Sequence, residues 1–240
     1  MESIEWSSAT KVNDFAGTRH LPRGRGWQEY AERFPEDTDC LASFLALECA
    51  EVLQRAKPAN LLNLSNRPRL CGKNLYRLWK EHGETMVRGT GLSVRVLADR
   101  GSSILLLLYR HDALHELLSR NSVKVILSRA GYSETGELER ILDELQTRVQ
   151  GTTFPHEIGV FLGYPLKDVV GFIGWPGLAF TCQGPWKIFG DPKESLKLAA
   201  RHRLCRCKIS LLLDSGCDPR ECLKGVSWLQ RAAHHSAAPN

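Results

Sequence analysis

The sequence of 240 residues contains no long apolar segment. Its longest uninterrupted apolar run covers residues 104–109, whereas a helix that crosses a bilayer needs roughly 20 apolar residues. Residues 1–26 lack the apolar core of a signal peptide and carry seven charged side chains instead. We therefore expect a soluble, cytoplasmic protein that makes no contact with a membrane.

Glycine-rich phosphate loops are also missing. Gly89, Gly91 and Gly101 have the wrong spacing for such a loop, and no Gly-Lys-Ser or Gly-Lys-Thr follows a predicted strand. The chain has no internal repeat and no low-complexity tract. Its apolar fraction of 42% and its charged fraction of 25% are those of ordinary globular proteins, which excludes collagen-like, coiled-coil and wholly disordered classes.

Cysteine and positive charge are the two features that the composition does supply. Because no export signal precedes them, we expect the eight cysteines to be reduced thiols. The spacing of Cys205, Cys207, Cys217 and Cys222 matches no standard zinc module. The whole net charge of +5 falls between residues 193 and 231, where nine Lys and Arg oppose four acids. A basic helix there is most often a solvated face, but it could contact an acidic partner.

The apolar pattern predicts an α+β fold with a small mixed sheet surrounded by many helices. Alternation at Leu92, Val94 and Val96, a turn at residues 99–102 and the apolar run 104–109 predict a hairpin at the centre of the sheet. A strand is predicted over residues 59–64, and a second hairpin over residues 179–181 and 186–189. We expect one domain over residues 28–230, with tails at 1–27 and 231–240.

Helical periodicity predicts several helices around this sheet. One covers residues 40–56 and ends at Lys57-Pro58, because proline disfavours helix in the residue before it. Another covers residues 71–82 and is closed by Gly83. A long basic helix opens at Pro192 and extends to about Leu213.

Residues 154–169, with the sequence FPHEIGVFLGYPLKDV, strongly resemble the signature of the domain-of-unknown-function family 3793, which occurs mainly in anaerobic bacteria. The segments 57–61, 106–110, 131–132 and 184–191 resemble other landmarks of that family in the same order. The resemblance extends from about Cys49 to Cys205. It implies family membership, but it brings no reaction, cofactor or partner with it.

The same signature segment supplies the candidate site. Pro155 is suited to the first position of a helix, which places His156 and Glu157 in the first turn. Backbone N–H groups at a helix start favour anions and thiolates. We therefore predict that a functional site, if present, gathers around His156 and Glu157, with Cys49 and Cys182 as additional members. The alternative is that Glu157 and His156 cap and pack, and that both cysteines are small buried hydrophobes.

Three classes of function remain open. The first is a non-catalytic binding or accessory protein, related to a metal or cofactor. The second is a DNA-binding regulator, because residues 156–173 have the apolar register of a helix-turn-helix. Specific nucleic-acid binding is not expected, however, since the outward positions Leu166, Lys167 and Val170 include no base-reading side chain. The third is a thiol enzyme that pairs Cys49 or Cys182 with His156.

Overall fold

The computed structural model of this chain describes residues 26–133, 136–175 and 177–224. The strands in these ranges are β1 Ala59–Ser65, β2 Ser93–Asp99, β3 Ser103–Tyr109, β4 Phe180–Gln183 and β5 Lys187–Phe189. The helices are α1 Gln28–Ala31, α2 Asp37–Glu48, α3 Ala50–Leu53, α4 Leu75–Val87, α5 His111–Leu118, α6 Asn121–Arg129, α7 Leu138–Val149, α8 Ile158–Phe161, α9 Leu166–Ile173, α10 Lys193–Asp214 and α11 Pro219–Leu223. This composition confirms the predicted α+β class.

The predicted central hairpin is confirmed. Strand β3 lies between β1 and β2 and pairs antiparallel with both. The sheet is therefore antiparallel and not mixed: β1 and β2 run in the same direction, but they do not pair because β3 separates them. A bulge between Val96 and Ala98 places Leu97 and Ala98 side by side in buried positions, which explains why the apolar alternation becomes irregular there.

Helices cover both faces of this sheet. Alternate residues of β3 face opposite sides, so that Leu106 and Leu108 join one core cluster with α2, α3, α4 and α11, whereas Leu107 and Tyr109 join a second cluster with α5 to α9. A strand that is buried on both faces needs apolar residues at every position, and the run 104–109 provides them. A third, smaller cluster holds Trp186, Ile188 and Ala199.

The boundaries of the predicted elements differ from the structure at several points. Helix α4 begins after the cap residue Asn74 and continues through Gly83 to Val87. Gly83 does not end the helix, because its missing side chain makes room for the Trp79 indole, which a Cβ would approach to 2.5 Å. Trp27, assigned to the predicted tail, is buried against Phe44. Tail residues 1–25 and 231–240 lie outside the described residues, as does the predicted domain end at residues 225–230.

One buried carboxylate joins α9, the β4–β5 hairpin and α10. Asp168 accepts hydrogen bonds from Lys167 Nζ at 2.6 Å, from Trp186 Nε1 at 2.8 Å, from the Phe189 amide at 2.9 Å and from Ser195 Oγ at 2.6 Å. Burial favours its neutral form, but these hydrogen bonds hold the pKa of Asp168 below its usual value. We call this group the Asp168 cluster.

Among the described residues, no helix combines the length and the apolar composition needed to cross a membrane.

Candidate functional site

Glu157, one of the predicted site residues, is engaged in a structural ion pair. His156 and Glu157 lie in a turn before α8, and not in the first turn of a helix as predicted, because the backbone forms i to i+3 hydrogen bonds from Pro155 onward. Arg148 Nη1 lies 3.3 Å from Glu157 Oε1 and 2.9 Å from the Ala130 carbonyl. Glu157 therefore helps to fasten α7 to the start of α8.

His156 borders a cleft of about 410 Å³ between α7 and α9. Its ring packs edge-on against Phe172 with 5.0 Å between the centroids. Its Nδ1 atom is buried and has no hydrogen-bond partner among the described residues. The neighbouring carboxylate in this cleft, Glu157, is already held by Arg148.

The two predicted cysteines pack with different core clusters. Cys49 is fully buried in the first core cluster, and burial raises the pKa of its thiol far above the neutral range, with Glu48 and Glu51 adding to the effect. Cys182 lies half-buried beside the third cluster. Within the described ranges, no group of three or more His, Cys, Asp or Glu side chains could hold a metal ion.

A second cleft, of about 330 Å³, was not predicted. It lies between the turn that follows α3, helix α5, the turn at Gly163 and helix α10. Four cationic residues from these segments line it, together with Glu116 and apolar side chains; the cations are Arg55, Lys57, Arg120 and Arg201. We call it the basic cleft.

The basic cleft forms where the turn at Pro58 meets the turn at Gly163. Gly163 has a φ of +71°, and a Cβ at that position would lie 2.5 Å from Pro58 Cδ, so that only glycine lets the two turns approach this closely. The neighbouring Tyr164 then lies with its ring 5.2 Å from Lys57 Nζ. On the other side, Arg55 adopts a φ of +55° in the turn that leads into β1.

Lys57 connects the basic cleft to a buried polar group behind it. The residue is 8% exposed, and its Nζ donates a hydrogen bond to Asn60 Oδ1 at 2.7 Å. Burial lowers the pKa of Lys57 to about 8, although the nearby Glu51 carboxylate opposes the shift. The hydrogen-bond acceptor of this buried amine is therefore a neutral amide and not a carboxylate.

The carboxylates behind Lys57 are bound to an arginine of α10. Arg206 Nε lies 2.9 Å from Glu51 Oε1, and Arg206 Nη2 lies 2.8 Å from Glu48 Oε2. Glu51 Oε2 is buried without a hydrogen-bond partner among the described residues. We call Lys57, Asn60, Glu48, Glu51, Arg206 and the adjacent His202 the Lys57 cluster.

His202 adds a second neutralised base to this cluster. Burial lowers its pKa to about 4, and the positive charge of Lys57 lowers it further in the same direction. Its Nε2 atom is also buried without a partner within the described part of the chain. The Lys57 cluster thus contains two bases whose protonated forms are disfavoured, a combination that occurs at functional sites more often than in ordinary cores.

The predicted helix-turn-helix does not present a free recognition helix. Helices α8 and α9 and the turn between them are present, but β5 packs against the outer side of α9. A Cβ at Gly171 would lie 2.4 Å from the Phe189 ring, and Lys167 Nζ donates to the Phe189 carbonyl at 2.7 Å. The β4–β5 hairpin therefore covers part of the surface that would enter a DNA groove.

The predicted basic helix is present as α10, and its cations have different surroundings. Arg206 is part of the Lys57 cluster and the exposed Arg201 lines the basic cleft, whereas Lys193, Lys197 and Lys208 are exposed and line neither cleft. Net charge alone could not separate these roles. The signal that could have found Arg206 is its position on the same helix face as the buried residues Ile209 and Leu213.

These features define an α+β protein with a cationic cleft backed by incompletely paired buried charges. The family described as "Protein of unknown function (DUF3793)" matches residues 45–223, most of the chain, and the chain belongs to this family. No curated protein and no solved structure matches it.

Proposed function

We propose that this chain is a bacterial, cytoplasmic, non-catalytic binding protein, and that its ligand is a small anion held in the basic cleft. The observation that carries the proposal is the convergence of Arg55, Lys57, Arg120 and Arg201 on one cleft from separate segments of the chain. A phosphate or carboxylate group offers the oxygen acceptors that such cations bind.

The cations of the basic cleft are available to a ligand to different degrees. Arg55 pairs with Asp112 at 2.7 Å and Arg120 pairs with Glu116 at 2.9 Å, but these pairs are more than half exposed. Exposed ion pairs contribute only about 0–1 kcal/mol, so that an incoming anion can replace them at little cost. Arg201 donates to the Arg55 carbonyl at 3.4 Å, and among the described residues no carboxylate forms an ion pair with Arg201 or Lys57.

The two alternative functions have less support. A thiol enzyme needs a thiolate. Burial of Cys49 keeps its thiol protonated, and Cys182 packs half-buried against the third core cluster. A regulator that reads DNA through α9 needs an exposed helix face, and the β4–β5 hairpin packs on that face. The proposed binding function requires neither.

Stability measurements in inorganic phosphate test the proposal. Phosphate should raise the unfolding midpoint relative to chloride at equal ionic strength, since a ligand at 100 times its Kd stabilises the native state by about 2.7 kcal/mol. Arg201→Ala should weaken phosphate binding by about tenfold or more, the effect of one charge-assisted hydrogen bond. Lys208→Ala, which removes an exposed cation from the same helix, is the matched control and should leave binding unchanged.

Two results would contradict the proposal. One is a midpoint that neither phosphate nor a small carboxylate raises above the chloride reference. The other is equal phosphate binding by the wild type and by Arg201→Ala, which would place the anion elsewhere on the surface.

A further inference from the structure

Lys57 differs from the other cations of the basic cleft because it can lose its charge near neutral pH. Arginine stays protonated in proteins, whereas burial lowers the pKa of Lys57 to about 8. The cleft therefore combines permanent positive charges at its edge with an amine that is partly neutral. Neutral amines are nucleophiles, and anion-binding arginines can hold a substrate group beside them.

The contacts of Lys57 fit a nucleophilic amine. A neutral amine has two N–H groups and one lone pair, and Asn60 Oδ1 accepts one N–H at 2.7 Å. The Tyr164 ring lies on another side of Nζ, 5.2 Å away. Lys57 itself forms part of the wall of the basic cleft.

We infer that Lys57 captures small anionic aldehydes or keto acids in the basic cleft as a reversible imine. The inference rests on the proposed anion binding and adds the chemical class of the ligand. The anionic group would pair with the cleft arginines, Arg201 among them, while the carbonyl carbon faces the amine.

The chemical steps need no oxidant or reductant. The Lys57 nitrogen attacks the carbonyl carbon, an N–C bond forms as the C=O π bond breaks, and a proton passes from nitrogen to the oxygen to give a carbinolamine. The hydroxyl group takes a proton from solvent and leaves as water while the nitrogen lone pair forms the C=N bond of an iminium ion. The iminium nitrogen then returns one proton to solvent, which gives the imine. Hydrolysis reverses these steps and returns the unchanged ligand, so that the capture is consistent with a binding protein.

Reductive trapping with glyoxylate tests the inference on the intact chain. Glyoxylate carries a carboxylate beside an aldehyde, and cyanoborohydride reduces its imine to a stable carboxymethyl-lysine that peptide mass mapping locates. At pH 7.5, Lys57 should react on the order of 100-fold faster than an exposed lysine with an ordinary pKa, because far more of it is neutral. Inorganic phosphate should slow labelling at Lys57 and leave exposed lysines such as Lys80 and Lys208 unaffected.

Matched variants keep the test decisive. Lys57→Met should remove the fast label, whereas Lys208→Met should keep it. If Lys57→Met does not fold, Arg201→Ala still tests the inference, because it should slow labelling at Lys57 alone.

Each contrary outcome has a distinct meaning. Labelling spread over exposed lysines with no preference for Lys57 would overturn the inference and leave phosphate binding intact. Fast labelling that phosphate does not slow, and that acetaldehyde reproduces, would overturn the anionic ligand class. A failed phosphate stabilisation would contradict the proposed function itself.

Discussion

The Asp168 cluster and the Lys57 cluster both bury charge beside α10, but they differ in how completely that charge is paired. Asp168 accepts four hydrogen bonds from three structural elements. In the Lys57 cluster, Glu51 and His202 each retain a buried polar atom without a partner among the described residues, and Lys57 loses part of its charge. Fully paired buried charge stabilises a fold, whereas incompletely paired charge beside a cleft costs stability and is typical of functional sites.

The largest expected effect comes from removing the paired carboxylate. Asp168→Ala leaves the Trp186 indole N–H, the Ser195 hydroxyl and the Phe189 amide without their acceptor. We expect the free energy of unfolding to fall by about 3–5 kcal/mol, measured in guanidinium chloride as a lower midpoint with an unchanged m-value. Asp143→Ala is the control, because it removes an exposed carboxylate paired with Arg95 and should change stability by about 1 kcal/mol or less. A loss of that small size for Asp168→Ala would erase the distinction between the two clusters.

Removing the lysine of the Lys57 cluster should abolish phosphate binding without lowering the free energy of unfolding. Lys57→Met should lose phosphate binding while its free energy of unfolding at neutral pH stays within about 1 kcal/mol of the wild type or rises above it, because the methionine need not be charged in a buried site. A destabilisation as large as that expected for Asp168→Ala would show that Lys57 is structural.

The pH dependence of the free energy of unfolding tests the lowered pKa of Lys57. The pKa of Lys57 is about 8 in the native state and 10.5 in its ordinary environment. Below pH 8 both states hold the proton; between pH 8 and 10.5 the unfolded chain keeps it and the native protein does not, so that native stability rises with pH. Relative to Lys57→Met, the wild type should gain up to about 3 kcal/mol across this window. A constant difference between the two proteins would contradict the lowered pKa.

Two glycines sharpen the comparison with smaller effects. Gly171→Ala places a Cβ 2.4 Å from the Phe189 ring beside the Asp168 cluster, and Gly163→Ala places one 2.5 Å from Pro58 Cδ beside the basic cleft. Each should cost about 1–3 kcal/mol, and Gly163→Ala somewhat more because of its positive φ. Only Gly163→Ala should also weaken phosphate binding. Gly136→Ala, where a Cβ meets nothing within 4 Å, is the control for both variants. Equal losses of phosphate affinity in Gly163→Ala and Gly171→Ala would contradict phosphate binding in the basic cleft.

The sequence predicts the sheet better than the site, for physical reasons. Alternation and an uninterrupted apolar run specify which faces of β2 and β3 are buried, and the hairpin follows from them. The prediction that Gly83 ends a helix was wrong. A glycine that ends a helix and a glycine that makes room for a large neighbouring side chain cannot be distinguished in a sequence. The placement of Lys57 beside Arg206 and His202 of α10 depends on how distant segments pack, and no local pattern contains that information.

The site prediction shows the same limit at single residues. His156 does border a cleft, but Glu157 beside it is paired with Arg148, and Cys49 is enclosed by the first core cluster. In the sequence, Lys57 stands out only as a landmark before a proline. What distinguishes it is burial next to Glu51 and Tyr164, and that arrangement exists only in the folded chain.

Direct titration of the Lys57 side chain tests the central claim that this lysine is an incompletely paired base in an anion-binding cleft. The signal of its Cε, followed by NMR in lysine-labelled protein and assigned by its loss in Lys57→Met, should titrate with a midpoint near 8. Phosphate should raise that midpoint, because a bound anion favours the protonated amine. A midpoint near the ordinary value of about 10.4, unchanged by phosphate, would contradict the account.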